Sequence, residues 1–278
     1  MMEDKNVNNS APAAEQSGIL AKIVENKRLE VAQAKQNISV SSLEKSEYFD
    51  RTCYSLRDFM LAEGRTGIIA EFKRASPSKG IINDLAEVSV VTRQYADAGA
   101  SALSVLTDQK FFGGKIRDLV EAREANQIPI LRKDFIIDEY QIVEAKAIGA
   151  DIILLIASIL TPQQVAGFAK FAKTLGLNVL LEVHNREELE KNIFDDLDAI
   201  GVNNRNLDTF TVSVQHSHDL VELIPDNFLK ISESGISDPK TITELKAAGF
   251  NGFLIGENFM KNSDPGSAIQ NFVKELRN

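Results

Sequence analysis

Eight short apolar runs, recurring at intervals that a loop and a helix would fill, constrain the fold of this chain more than any other feature. They lie at 67–72, 102–106, 128–132, 151–156, 178–183, 199–202, 228–232 and 252–255. Each is a near-continuous run of Ile, Leu, Val and Ala, as expected of strands in a parallel sheet whose outer face is covered. Amphipathic stretches separate them, among them 85–97, 139–148, 161–175 and 239–248. Gly99, Gly149, Gly176 and Gly249 stand where a helix C-terminus takes a left-handed residue. A strand–loop–helix–glycine unit repeated eight times, without a linker or a shift of composition, predicts an α/β chain folded as a closed (β/α)8 TIM barrel. No G-x-G-x-x-G follows the first run, which disfavours an open, doubly wound sheet.

Ahead of the first run, Ile19, Leu20, Ile23, Val24, Val31 and Ala34 recur near the helical period over 19–36, with basic residues between them. Ser55 with Asp58 has the form of an N-terminal capping pair. An N-terminal helical extension packed on the barrel is therefore expected, with a helix over the mouth able to shape a site. Residues 1–17 are polar and acidic and lack the basic start and apolar stretch of a secretory signal. They are expected to be a disordered tail, leaving 18–278 as one barrel domain.

Lys+Arg total 31 against 40 for Asp+Glu, a formal charge of −9, the wrong sign for coating nucleic acid or an anionic membrane. An anionic substrate would have to be held by a few local cations or backbone N–H groups. The longest apolar run, 152–160, has nine residues, against about 20 to span a bilayer. The one cysteine, Cys53, allows no internal disulfide, which suggests a reducing, cytoplasmic setting.

In a barrel, inward side chains alternate, and those at the C-terminal strand ends face the mouth where active sites lie. Glu71 and Lys73 share the parity of Ile69, Lys133 that of Leu131, Glu182 that of Leu180 and Glu233 that of Ile231. Asn203 and Arg205 end the sixth run. Three carboxylates, two lysines and an arginine on one rim are costly unless their charges serve something. A lysine crowded by desolvation and another cation would release its proton more readily and act as a general acid. That is acid–base chemistry on a carbonyl or alcohol.

The last two runs lead into Ser234-Gly235 and into Gly256-Glu257. Such loops, with glycines that admit close approach to backbone N–H groups, commonly grip phosphate, so a phosphate monoester is the expected ligand. No metal or other cofactor is expected. His216 and His218 lie in a polar stretch without a Cys/His cluster and read as a surface loop, and His184 reads as a loop residue. Cys53 has no recognisable base partner.

Seven ordered motifs resemble the indole-3-glycerol phosphate synthase family: EFKRASPSKG at 71–80, LSVLTDQKFFGG at 103–114, LRKDFIID at 131–138, LLEV at 180–183, IGVNNRNL at 200–207, SESGI at 232–236 and FLIGENFM at 253–260. The similarity runs from about residue 18 to the end. It implies ring closure of 1-(2-carboxyphenylamino)-1-deoxyribulose 5-phosphate, with loss of carbon dioxide and water and without a cofactor. It implies Lys133 as the general acid of ring closure and Lys73 and Glu182 as the dehydration pair, with donor and acceptor left open. Glu71, Asn203 and Glu233 would orient the substrate hydroxyls and the lysines, with Arg205 an electrostatic partner. Ser76 falls in the mobile first loop, Phe112 in the second loop against the anthranilate ring, and Ser104 beneath it. Ser234, Gly235 and Gly256 match the phosphate cradle.

Glu257 departs from the pattern, standing where some members have serine, and would repel a phosphate unless turned away. Two rivals predict other residues. A phosphoribosylanthranilate isomerase would carry a cysteine base at the first strand end, and a silent sugar-phosphate-binding barrel would lack Lys133 or Glu182. A monomer or weak homodimer is expected.

Overall fold

The computed structural model describes residues 18–206 and 209–278; the expected tail at 1–17 and Leu207 lie outside the described residues. Eight parallel strands close into a barrel in chain order: β1 Ile68–Phe72, β2 Ala102–Leu106, β3 Ile130–Lys133, β4 Ile152–Ile156, β5 Asn178–Val183, β6 Ala199–Asn203, β7 Leu229–Glu233 and β8 Gly252–Ile255. Closure is made by β8 on β1, with Ile68 opposite Phe253. Helices Val88–Asp97, Ile116–Ala125, Glu139–Ala147, Pro162–Thr174, Arg186–Lys191, Gln215–Leu220, Pro239–Ala247 and Pro265–Leu276 follow successive strands.

The alternation along each strand sorts two packed layers. Ile69, Leu131, Ile152, Leu154, Leu180, Leu229, Ile231 and Leu254 fill the barrel interior. Ile68, Phe72, Ile130, Ile153, Leu155, Val179, Leu181 and Phe253 face the helices. With both faces covered, an apolar side chain is favoured at every strand position. A charged group at a strand end on the inward parity is then carried to the mouth on a rigid scaffold.

Local chemistry ends the helices where the sequence predicts. Thr161 and Gln164 form a reciprocal capping box on Pro162–Thr174, and Gly249 has a φ of 110°. Two boundaries differ by two residues or more. The helix expected from 85 begins at Val88, with Glu87 as its N-cap, and the strand expected from 128 begins at Ile130, after Pro129, which has no N–H for a ladder.

The N-terminal extension divides its work. Helix Ile19–Asn37 lies at the mouth, with Ile19, Leu20 and Ile23 facing the cavity there. Helix Leu56–Leu61, capped by Ser55 accepting from the Asp58 N–H, seals the opposite end with Leu56 and Met60. The connector between them is pinned by Asp151. One carboxylate oxygen accepts from Arg51 Nη2 at 2.6 Å and the Tyr54 N–H at 2.8 Å; the other accepts from Arg123 Nη1 at 2.8 Å and the Ile130 N–H at 2.9 Å.

Candidate active site

Lys133, at the end of β3, is the hub. Its Nζ donates to Glu182 Oε2 at 2.8 Å and Glu233 Oε2 at 2.9 Å, reaching across the barrel to β5 and β7. Asn203 Nδ2 donates to Glu182 Oε1 at 3.0 Å, fixing the carboxylate plane. Glycine inside a strand often marks a close approach: a methyl group at Gly201 on β6 would collide with Glu233 Oε1. The seven charged and polar groups singled out at the strand ends therefore do face one cavity, of about 960 Å3 including its open side.

The electrostatics correct one expectation. Burial alone pulls the Lys133 ammonium down, but Glu182, Glu233 and Glu71 outweigh it and the net shift is upward. The neighbours that matter are anions, so Lys133 rests as a firmly held cation. Burial pushes Glu182 up, yet Lys133 and then His184 overcome it and hold the carboxyl at about 2. Glu233 goes the other way: burial, with repulsion from Glu182 and Glu71 opposing Lys133, places it at about 7. Three buried carboxylates facing two lysines leave one negative charge in excess, and Glu233 is where a proton offsets it.

Beside this hub, Lys73 Nζ pairs with Glu71 Oε1 at 2.9 Å, and Ser104 Oγ donates to Glu71 Oε2 at 3.3 Å. Gly256 sits against the same carboxylate: a Cβ there would lie 2.6 Å from Glu71 Oε1, so any side chain would displace Glu71 and its lysine. Ser76 belongs to a short hairpin, Ala75–Ser76 with Gly80–Ile81, and is buried.

Toward the loops after β7 and β8 the mouth is lined by Ser234, Gly235, Gly256, Lys79, Arg205 and Lys261. Ser234 has a φ of 70° and Gly235 one of 78°. A non-glycine residue held there stores strain of the kind found at ligand clamps. Glu257 meets Arg205 Nη2 and Lys79 Nζ, each at 3.6 Å, so two cations offset the acidic side chain where serine was the family expectation.

The other end is apolar. Ile19, Leu20, Ile23, Leu106, Leu154 and Ile156 line it. Phe112, in the short helix Gln109–Phe112, stacks obliquely on Phe135 with centroids 5.9 Å apart.

Sequence reasoning missed the device that holds this end together. Lys27 Nζ lies 2.8 Å from Asp134 Oδ1, 3.0 Å from Asp108 Oδ2 and 2.6 Å from Glu30 Oε2, with side-chain exposures of 4% for Lys27, 3% for Asp134 and 0% for Asp108. Asp108 caps the helix carrying Phe112, and Asp134 adjoins Lys133. The available signal was spacing: Lys27 stands four residues from both Ile23 and Val31, on the apolar stripe itself.

Other side chains differ from expectation. His216 and His218 sit on the helix Gln215–Leu220 and not in a loop. His184 follows β5 in a bend, as read, but is largely buried against Glu182. Cys53, outside the barrel, accepts a contact from Lys146 Nζ at 3.2 Å while burial pushes its thiol upward. Among the described residues, no group of three or more His, Cys, Asp and Glu could hold a metal ion, and no helix is long and apolar enough to cross a membrane.

The comparisons with known proteins agree in direction. A family model described as indole-3-glycerol phosphate synthase matches residues 20–272. The chain is 49% identical to the indole-3-glycerol phosphate synthase of Bacteroides thetaiotaomicron over 93% of this chain and 99% of that protein. It is 42% identical to the enzyme of that name from Burkholderia vietnamiensis, over 91% and 98%. Among solved structures, 3-hexulose-6-phosphate synthase from Salmonella typhimurium superposes with a TM-score of 0.58 at 12% identity, covering 76% of this chain and 99% of that one, a likeness of fold alone.

Proposed function

Because the chain belongs to the indole-3-glycerol phosphate synthase family, we propose that its barrel mouth performs that ring closure with the division of labour below. The enzyme is a carboxy-lyase of tryptophan biosynthesis. It converts 1-(2-carboxyphenylamino)-1-deoxyribulose 5-phosphate to indole-3-glycerol phosphate, carbon dioxide and water. The observation that carries the assignment of roles is the Lys133 ammonium, held between Glu182 and Glu233 and facing the cavity that runs on to Ser234, Gly235 and Gly256.

The phosphate is gripped by backbone N–H groups of Ser234, Gly235 and Gly256 with Arg205 nearby, which places the ketone toward Lys133 and the anthranilate ring against Phe112. Ser76 borders the same cavity, while Ser104 is buried behind Glu71 and acts through its hydrogen bond to that carboxylate. As the aromatic carbon attacks, negative charge grows on the ketone oxygen and Lys133 donates to it. An alkoxide is far more basic than an amine, so the transfer is downhill even from a lysine whose pKa is raised.

Decarboxylation restores aromaticity to the benzene ring. Dehydration then needs a donor for the hydroxyl and an acceptor for a carbon-bound proton. Glu182, ionised at neutral pH, is the acceptor, and it gains basicity once Lys133 gives up its charge; Lys73, oriented by Glu71, is the donor. Glu233 and Asn203 hold Lys133 and Glu182 in register.

The isomerase alternative needs a cysteine at the end of β1, where Glu71 and Lys73 stand, and the silent-barrel alternative needs Lys133 or Glu182 missing. We further propose that 18–278 act as one domain, as a monomer or weak homodimer in the cytoplasm, on the phosphorylated substrate alone and not on nucleic acid. Because the chain contains no tryptophan, indole fluorescence reports product directly. A rise on adding the carboxyphenylamino substrate to folded protein is expected, and a flat trace would remove the assignment.

A further inference from the structure

The reaction has a proton deficit. The water that leaves carries the ketone oxygen and two protons. One is recovered from the substrate carbon that joins the indole ring. The carboxyl group is ionised at neutral pH and departs as carbon dioxide without a proton of its own. One proton per turnover must therefore enter from solvent and reach a buried cluster.

We propose that His184 delivers that proton, as a relay from Glu188 at the surface to Glu182 inside. His184 Nε2 is buried, makes no hydrogen bond and lies 3.4 Å from Glu182 Oε1; Nδ1 lies 3.4 Å from Glu188 Oε2. Glu188 is held in place by the His184 N–H at 2.8 Å and Asn185 Nδ2 at 3.0 Å, and its side chain is 20% exposed. The string continues from Glu182 to Lys133 at 2.8 Å. It runs from the outside of the barrel to the ammonium that ring closure discharges.

Each hop breaks one bond to hydrogen and forms one. A solvent proton bonds to the Glu188 carboxylate and passes to His184 Nδ1. The imidazolium releases its Nε2 proton to Glu182 Oε1, and Glu182 returns it to the neutral Lys133 amine; the carbon-bound proton that Glu182 takes up in dehydration then makes good the one given by Lys73 across the same cavity. A turn of the ring resets the tautomer. Both imidazole separations are at the outer limit of a hydrogen bond, and a small side-chain rotation closes either one. The groups facing the ring are Glu182 near the end of β5, Glu188 on the following helix and Glu233 on β7. Burial lowers the imidazole, but these carboxylates outweigh it and hold the proton to higher pH than usual.

The inference rests on the role given to Glu182 above, and the test separates the two. In His184→Gln the amide keeps a polar contact with Glu182 but cannot pass a proton. We expect kcat to fall about 10-fold, below the usual contribution of a group acting directly on substrate, with KM unchanged. The fall of wild-type kcat as pH rises through the imidazole's raised pKa should disappear. In His184→Ala, added imidazole should restore rate in proportion to its cationic fraction.

Wild-type kcat in His184→Gln would overturn the relay, as would a loss in His184→Ala that imidazole does not rescue. An inactive wild type, or an undiminished Glu182→Gln, would instead overturn the reading beneath it. If the histidine variants do not fold, Glu188→Gln removes the outer step alone: slower turnover is expected, and wild-type turnover would overturn the proposal.

Discussion

Replacing Lys133 by Met is expected to leave the barrel folded and the substrate bound while lowering kcat by about 10²–10⁴-fold, the range for loss of one acid–base group. Steady-state indole fluorescence gives the rate, and quenching of the substrate's own anthranilate emission gives binding. The methionine fills much the same volume, so the interior layer of Leu131, Leu154 and Leu180 keeps its packing.

What changes is charge. Glu182 and Glu233 lose their shared cation, and both carboxyls move upward because burial is less opposed, His184 and Asn203 still favouring the ionised Glu182. The folded state then binds more protons than the unfolded chain above the ordinary carboxylate range, so stability falls as pH rises through that window. The variant should therefore gain stability on going from neutral pH toward pH about 5, where unfolded carboxyls still ionise. Turnover close to wild type would place the general acid elsewhere.

Lys27→Met is the second large effect. Removing one partner of a buried ion cluster can cost about 3–5 kcal/mol; here Asp108 loses its cation while Asp134 keeps Arg132 at 3.3 Å, so a loss toward the lower end is expected. Asp134 is held at about 2: burial pushes it up, but Lys27 and then Arg132 overcome this. A depressed carboxyl stabilises the fold above its unfolded pKa and loses that contribution as pH falls through the folded value. Without Lys27 the depression shrinks, and the variant should unfold at lower urea concentration at pH 7 with less additional loss on acidification. Because Asp108 caps the Phe112 helix and Asp134 adjoins Lys133, KM should rise as well. An unchanged urea midpoint would mean that the N-terminal helix is not tied to the barrel by this lysine.

Much of the barrel was legible because its physics is local. Apolar strand runs, caps such as Ser55 and left-handed glycines such as Gly249 are each set by residues close in sequence. The inward parity of Glu71, Lys133, Glu182 and Glu233 followed from the two-residue period of a strand, and closure brings those ends onto one rim whatever their sequence separation.

What sequence could not supply was the pairing across the barrel. The sign of the Lys133 shift depends on the balance between its burial and Glu182, Glu233 and Glu71, on three other strands. The reading from crowding by another cation therefore pointed the wrong way. Lys27 was hidden for the same reason: a lysine on an apolar stripe makes sense only once Asp108 and Asp134 are seen to meet it. Glu257 looked repulsive until Arg205 and Lys79 were placed beside it.

The most direct measurement is a crystal structure with a substrate analogue whose ketone is reduced to an alcohol, which binds and cannot close. The phosphate should lie on the backbone N–H groups of Ser234, Gly235 and Gly256, the aromatic ring beside Phe112, and the alcohol oxygen within hydrogen-bond reach of Lys133 Nζ. An analogue bound with its alcohol oxygen away from Lys133 and Glu182, or its phosphate outside the glycine loops, would contradict the assignment of this mouth as the ring-closing site.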